Sequence, residues 1–70
     1  MKNNVIPRHF YGIKCEMLIA TSENKPGDII SISKNDFGYL GYNPRTNRHF
    51  YTFVSMLRNP QICKIVEVIK

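Results

Sequence analysis

Apolar and polar residues alternate along much of the chain, which is the pattern of half-buried β-strands. The clearest case is residues 10–20, where every second residue from Tyr11 to Ile19 is apolar. The same period recurs in residues 28–34, in which isoleucines alternate with serines. Apolar residues at i, i+3, i+4 and i+7 do not continue over three turns anywhere in the chain. The pattern therefore predicts strands and no long helix.

Turn-forming residues divide the rest of the chain into further strands. Three more strands are predicted at residues 37–42, 48–56 and 62–69. Between the first two of these, Pro44 suits the first central position of a type I turn and Asn47 tolerates a positive φ. The two strands should therefore form a hairpin. Residues 57–61 (LRNPQ) break the alternation and are expected to form a single 3₁₀ turn.

Five short strands without a long helix indicate an all-β fold. A small five-stranded barrel is the expected architecture, because closing the sheet removes exposed strand edges. Residues 10–70 are expected to form a single domain. Residues 1–9 are expected to be a short polar N-terminal arm, in which Pro7 disfavours helix.

The segment Lys25–Ile32 (KPGDIISI), a polar loop that enters an apolar strand through Gly-Asp, resembles the corresponding part of SH3-like barrels. A hairpin, a single 3₁₀ turn and a closing strand follow in the same order. The chain lacks the paired tryptophan, the acidic loop and the Pro-x-x-Tyr signature of proline-peptide-binding SH3 domains. The resemblance thus implies the barrel and not peptide binding. By analogy it also suggests the contacts with nucleic acid or larger assemblies that SH3-like barrels often make in bacteria and phages.

The charge of the chain is positive and uneven. Its 70 residues carry a formal net charge of +5, and residues 37–70 hold five basic side chains against one acidic side chain, Glu67. Between Asp36 and Glu67 there is no acidic residue. Such a balance favours an anionic partner. The many Asn, Ile, Lys and Tyr residues have AT-rich codons, which suggests a phage, bacterial or mobile-element gene.

The thiols and the absence of long apolar runs bear on location. The longest apolar run near the N-terminus is residues 17–20, far short of the roughly 20 residues of a membrane helix. No secretory signal is recognisable, so we expect a soluble cytoplasmic protein without membrane contact. Cys15 and Cys63 lie in apolar stretches and are expected to be buried thiols in a reducing compartment.

Residue patterns that carry catalysis are missing from the sequence. There is no Gly-x-Ser-x-Gly motif and no Gly-rich loop before a helix, and the spacing of the carboxylates brings no pair together. We therefore expect a binding protein, not an enzyme, and no cofactor. The possible metal ligands lack the local pairing of zinc sites, so no metal is expected; they are His9, Cys15, His49 and Cys63.

Basic and aromatic residues cluster on the predicted hairpin, which is the strongest functional signal in the chain. Single-stranded nucleic acid is held by cations that follow phosphates and by rings that stack on bases. We therefore predict nucleic-acid binding there, assisted from the N-terminal arm. The candidate residues are Arg8, Tyr42, Arg45, Arg48, His49 and Tyr51. The sequence Arg-His-Phe-Tyr occurs at both 8–11 and 48–51, as a duplication remnant or by coincidence.

Two alternatives stay open at the level of sequence. The aromatic residues could instead fill the core and the arginines maintain solubility, and either face of the strand at 48–56 could be the buried one. A protein-interaction module, such as a small inhibitor or adaptor docking on an acidic protein surface, is the other function class. Binding to phosphates should weaken steeply with salt, whereas an apolar protein interface should not. The oligomeric state is left undetermined.

Overall fold

A computed structural model describes residues 3–70 and contains five strands and one short helix in that range. The strands are β1 (Gly12–Met17), β2 (Ile29–Asn35), β3 (Gly38–Asn43), β4 (Arg48–Thr52) and β5 (Cys63–Ile69). The helix, α1 (Val54–Arg58), lies between β4 and β5. The predicted all-β class and the number of strands are confirmed.

All five strands belong to one antiparallel sheet with the order β4-β3-β2-β1-β5. Strands β1 to β4 follow one another as neighbours, and β5 returns across the sheet to pair with β1. Strands β4 and β5 form the two edges, and within residues 3–70 the sheet is not closed. An open five-stranded sheet is therefore the observed architecture, and the predicted barrel is not confirmed.

One face of the sheet carries the core. On β1 the alternating residues Ile13, Cys15 and Met17 are buried, as their two-residue period predicts. The predicted strand is longer at both ends than the buried stretch, since Tyr11 is 82% exposed and Ile19 is 43% exposed. Both residues lie outside the paired part of β1, which begins at Gly12 and ends at Met17. The remaining buried apolar residues are Ile30, Ile32, Leu57 and Cys63.

The strand predicted at 48–56 is shorter than expected. It ends at Thr52, and the chain then turns into α1, where the Leu57 amide donates a 3.3 Å hydrogen bond to the carbonyl of Phe53. The predicted 3₁₀ turn at 57–61 is thus replaced by an α-helical turn that begins earlier. The physical reason is burial, because the turn places Leu57 in the core with no exposed surface.

The hairpin of β3 and β4 is confirmed. Residues 44–47 form its turn, and Asn47 has a φ of 56°, the left-handed conformation that asparagine tolerates. The register places Gly41 opposite Phe50. The ring of Phe50 lies over Gly41 so closely that a methyl group there would overlap it. Gly41 therefore marks a close approach of a neighbouring chain segment, one of the meanings of glycine in a strand.

Residues 3–9 of the predicted arm contain no helix or strand, and the first two residues of the arm lie outside the described range. The segment is nevertheless docked on the domain. The side-chain amide of Asn4 donates 2.9 Å hydrogen bonds to the carbonyls of Leu57 and Cys63, and its backbone amide donates to that of Arg58. Asn4 thus joins the arm to both ends of the connection between α1 and β5.

The described part of the chain contains one helix, which has five residues. This helix is not long and apolar enough to cross a membrane.

Candidate nucleic-acid interface

Arg45, in the turn of the β3–β4 hairpin, is held by a carboxylate. Its Nε and Nη2 atoms donate 2.7 Å and 2.9 Å hydrogen bonds to the two oxygens of Asp28, a bidentate ion pair. Asp28 itself is buried, whereas the Arg45 side chain is half-exposed. Arg45 therefore fastens the hairpin turn to the start of β2, and much of its charge is neutralised there.

A buried amide completes this contact. The Asn43 side chain donates hydrogen bonds to Asp28 Oδ2 at 2.8 Å and to Asn24 Oδ1 at 2.9 Å, and accepts one from the backbone amide of Arg45. The Arg45 side chain and the Lys25 backbone amide, both donating to the carboxylate, hold the pKa of Asp28 well below its usual range. The network thus locks the polar loop of residues 21–28 to the hairpin.

Arg48 lies at the same end of the sheet as Arg45, opposite Asn43, and is exposed. It lines a shallow depression together with Arg45 and the loop that contains Glu23 and Lys25. The depression therefore has mixed charge, and Glu23 and the buried Asp28 both offset its cations. The hairpin turn carries less available positive charge than the sequence indicates.

The three aromatic candidates lie on the outer face of the sheet, opposite the core. Tyr42 and His49 face each other across β3 and β4 with ring centroids 4.7 Å apart. The hydroxyl of Tyr42 donates a 2.7 Å hydrogen bond to the side chain of Asn47. Tyr51 lies two residues further along β4, opposite Leu40, and is 65% exposed. The face of β4 that bears His49 and Tyr51 is therefore the solvent face, and the one that bears Phe50 packs on the core.

Arg8 lies at the opposite end of the sheet from Arg45 and Arg48. There the arm, the end of β2 and the end of the described chain surround an open cleft of about 470 Å³. We call it the cationic cleft. Its lining residues are Arg8, His9, Phe10, Tyr11, Lys34 and Lys70.

Aromatic packing forms one wall of the cationic cleft. The ring of Phe10 stacks on that of Tyr39 with centroids 6.1 Å apart and planes 9° from parallel. Tyr11 donates a backbone hydrogen bond to Ile69, which brings Lys70 to the start of β1. The cleft is therefore built by segments far apart in sequence, and the sheet fixes their arrangement.

The cationic cleft has no acidic side chain in its lining. Within residues 3–70 the ion pairs are Lys14 with Glu67 and Arg45 with Asp28, so the three cations of the cleft are not neutralised by a carboxylate in that range. Arg8, Lys34 and Lys70 are all exposed. The cleft therefore offers a phosphate three cations that form no ion pair with an acidic side chain in residues 3–70.

A second surface feature adjoins the cleft at the same end of the sheet. Phe37, in the β2–β3 turn, is 87% exposed, and Phe53, just after β4, is 73% exposed. Together with Tyr51 they line a groove of about 490 Å³ whose lining contains no charged side chain. We call these three residues the aromatic patch. Tyr39 lines this groove and also stacks on Phe10 of the cleft, so the two features are continuous.

The structure thus separates the residues that the sequence grouped together. Tyr42 and His49 are neighbours and Tyr51 shares their face, but Arg8 is at one end of the sheet and Arg45 and Arg48 are at the other. Sequence reasoning did not include Lys34 and Lys70 in the site. Antiparallel pairing of the first two predicted strands would have indicated Lys34, because the end of one strand then lies beside the start of the other.

The two Arg-His-Phe-Tyr segments have the same inward and outward pattern. In each copy the phenylalanine, Phe10 or Phe50, packs against the core, and the histidine and tyrosine are exposed. The second copy forms β4, whereas the first precedes β1.

Both thiols are buried and unpaired by a disulfide, as predicted. The neighbouring Cys63 side chain and burial raise the pKa of Cys15, so this residue is a protonated thiol at neutral pH. In residues 3–70 no three side chains of His, Cys, Asp or Glu converge on a point where a metal ion could bind.

A scan against protein-family models, a search of curated proteins and a search of solved structures each find no match to this chain.

Proposed function

We propose that this protein binds nucleic acid through the phosphate backbone, with the cationic cleft as the binding surface. The observation that carries the proposal is the convergence of Arg8, Lys34 and Lys70 on one cleft without an acidic side chain in its lining. Cations that track phosphates supply most of the affinity for nucleic acid, and they require no base-specific contact. The net charge of +5 favours encounter with such a polyanion.

The hairpin turn takes a smaller part in this proposal than it does in the sequence-based hypothesis. Arg45 is engaged by Asp28, and the loop beside Arg48 contributes Glu23. Tyr42, His49 and Tyr51 remain available on the outer face as secondary contacts. Arg8 is the one basic residue of the original candidates that lies in the cationic cleft.

The test is fluorescence anisotropy with labelled single-stranded RNA, single-stranded DNA and duplex DNA at several salt concentrations. The R8Q/K34Q variant removes two cleft cations, and the R48Q/K64Q variant removes the same charge from exposed positions outside the cleft. We expect the cleft variant to bind more weakly and its log–log salt slope to fall by roughly 1.5, since each phosphate contact contributes about 0.7–0.9.

The matched R48Q/K64Q variant should retain most of the affinity. Equal losses in the two variants would mean that net charge alone drives binding, and a larger loss in the control would return the site to the hairpin. Absence of binding by the wild-type protein at low salt would overturn the proposal.

A protein-interaction module is the second candidate, and the unpaired outer edge of β4 is the observation that favours it. Among the described strands β4 pairs with β3 alone, so its other edge can accept an extended segment of a partner. An acidic segment would be favoured beside Arg48. Binding of this kind should depend less on salt than binding to phosphates does.

We further propose that the chain is related in layout to SH3-like domains. The supporting observations are the polar loop that precedes β2, the antiparallel order from β1 to β4, the helical turn of α1 and the return of β5 to β1. This proposal concerns architecture and adds no partner.

A further inference from the structure

The aromatic patch is a feature of the surface that binding of the phosphate backbone leaves unexplained. Phe37 and Phe53 expose most of their side chains, although a 70-residue domain has few apolar groups to spare for its core. Clustered exposed rings of this kind mark a contact surface. Phe37 and Phe53 lie outside the set of residues that form or pack against the core.

We propose that the aromatic patch stacks unpaired bases of the strand whose phosphates lie in the cationic cleft, so that the protein selects single-stranded over duplex nucleic acid. This inference rests on the proposed function and adds to it the class of nucleic acid. Stacking requires bases that are free of a double helix, because paired bases present only their edges in the grooves.

The two features lie within reach of one short strand of nucleic acid. In the sheet, Lys34 of β2 pairs with Tyr39 of β3, and Tyr39 pairs with Thr52 of β4. Two strand spacings of about 4.8 Å place the cleft roughly 10 Å from the end of β4. The stacked rings of Phe10 and Tyr39 lie between the cleft and the patch, and neither ring carries a charge.

Charge is divided between the two features as a single strand requires. The cleft lining carries three cations and no acidic side chain, whereas the groove at the patch is lined by no charged residue. The groove offers a phosphate no cation, whereas the cleft offers three, so the backbone is directed into the cleft and the neutral bases onto the rings.

A strand of nucleic acid explains the patch better than a protein partner does, because the patch adjoins the cationic cleft. An apolar protein segment on the patch would leave the three cations of the adjoining cleft without an anionic partner. A nucleotide has both parts in one unit, a flat neutral base and an anionic phosphate.

The test compares a labelled 15-nucleotide oligouridine with a 15-base-pair RNA duplex, in both cases by anisotropy at fixed salt. We expect F37A/F53A to weaken oligouridine binding by about tenfold or more, since each stacked base contributes about 1–3 kcal/mol and 1.4 kcal/mol is a factor of ten. Duplex binding should be unchanged. The F37L/F53L variant, which keeps apolar bulk but has no rings, should lose as much as the alanine variant.

Two controls separate this inference from the proposed function. R8Q/K34Q should weaken binding to both probes, and V66A, which removes an exposed apolar side chain elsewhere, should change binding to neither.

Wild-type protein that binds neither probe at low salt would overturn the proposed function itself. Wild-type protein that binds both probes, with F37A/F53A unchanged or equally weakened on both, would overturn base stacking alone. Full binding by F37L/F53L would also overturn it and identify the patch as an apolar docking surface for protein.

Discussion

At the scale of single residues, Asp28 organises more of the structure than any other charged side chain in the described range. Its carboxylate accepts four hydrogen bonds, from the backbone of Lys25, the amide of Asn43, and two nitrogens of Arg45. Such a buried carboxylate is stable only because every bond favours its ionised form. This one side chain joins the polar loop, β2 and the hairpin turn, and it withdraws Arg45 from the candidate interface.

Replacing Asp28 with Asn should therefore destabilise the fold in a pH-dependent way. The folded-state pKa of Asp28 lies below its unfolded value of about 3.9, so its contribution is fully present above that value and is lost as pH falls. We expect the wild type to have the larger free energy of unfolding at pH 7 and the gap to the D28N variant to narrow steadily between pH 5 and pH 2. Urea denaturation of the two proteins from pH 7 to pH 2 measures the free energy of unfolding of each and the difference between them.

The D36N variant serves as the control, because Asp36 is an exposed carboxylate in the β2–β3 turn. Its stability should follow that of the wild type at all pH values. A D28N variant whose deficit is constant from pH 7 to pH 2 would contradict the electrostatic explanation and leave only a steric one.

At the scale of elements, the β3–β4 hairpin shows how a strand position can be fixed by what lies across from it. The Phe50 ring occupies the space above Gly41, which a side chain at that position would fill. Phe50 then packs against the core, and the alternation turns His49 and Tyr51 outward. The orientation of the aromatic candidates thus follows from the absence of a side chain on the neighbouring strand.

Substituting Gly41 with Ala should cost about 1–3 kcal/mol of unfolding free energy, the range for overpacking a filled site. The new methyl group would overlap Phe50 Cζ and lie 2.6 Å from Cε2. Thermal or urea denaturation measures the loss. In an F50L background, G41A should cost less unfolding free energy than it does in the wild type, since leucine lacks the ring atoms that clash. An equal cost in the two backgrounds would contradict this contact.

At the scale of the whole molecule, the two ends of the sheet differ in what they do with charge. At the end with the hairpin turn, Arg45 pairs with Asp28 and Glu23 lines the same depression. The other end leaves its three cations, Arg8, Lys34 and Lys70, without an acidic side chain in the lining of the cleft they share. Between the ends lies a small core with two thiols at its centre. The candidate interface is therefore a property of one end of the fold and not of one strand.

The two thiols report on opening of the whole core. Cys15 and Cys63 have no exposed surface, and they lie on neighbouring strands that pair across most of their length. We expect neither thiol to react with a disulfide reagent in the native protein except at the rate of global unfolding, which increases with urea. The S33C variant, with a thiol at an exposed site, should react at once. Rapid labelling of one native cysteine would contradict this arrangement of the core.

Much of the fold could be predicted from the sequence because the two-residue period reports burial on one face of a strand. This period correctly identified Ile13, Cys15 and Met17 as buried, and the Pro44–Asn47 turn correctly indicated the hairpin. The same logic was wrong for residues 53–56, where helix and strand are both compatible with the local pattern. Only the space left in the core for Leu57 decided between them.

The sequence by itself determined the strands, the buried thiols and the excess of positive charge, because these depend on local alternation and on composition. Only the tertiary structure decided which charges are available, because an ion pair such as that of Arg45 with Asp28 joins residues 17 positions apart. It also brought Arg8, Lys34 and Lys70 into one cleft, since sheet pairing places distant strand ends side by side. Local pattern fixes the face of a residue, and long-range pairing fixes its neighbours.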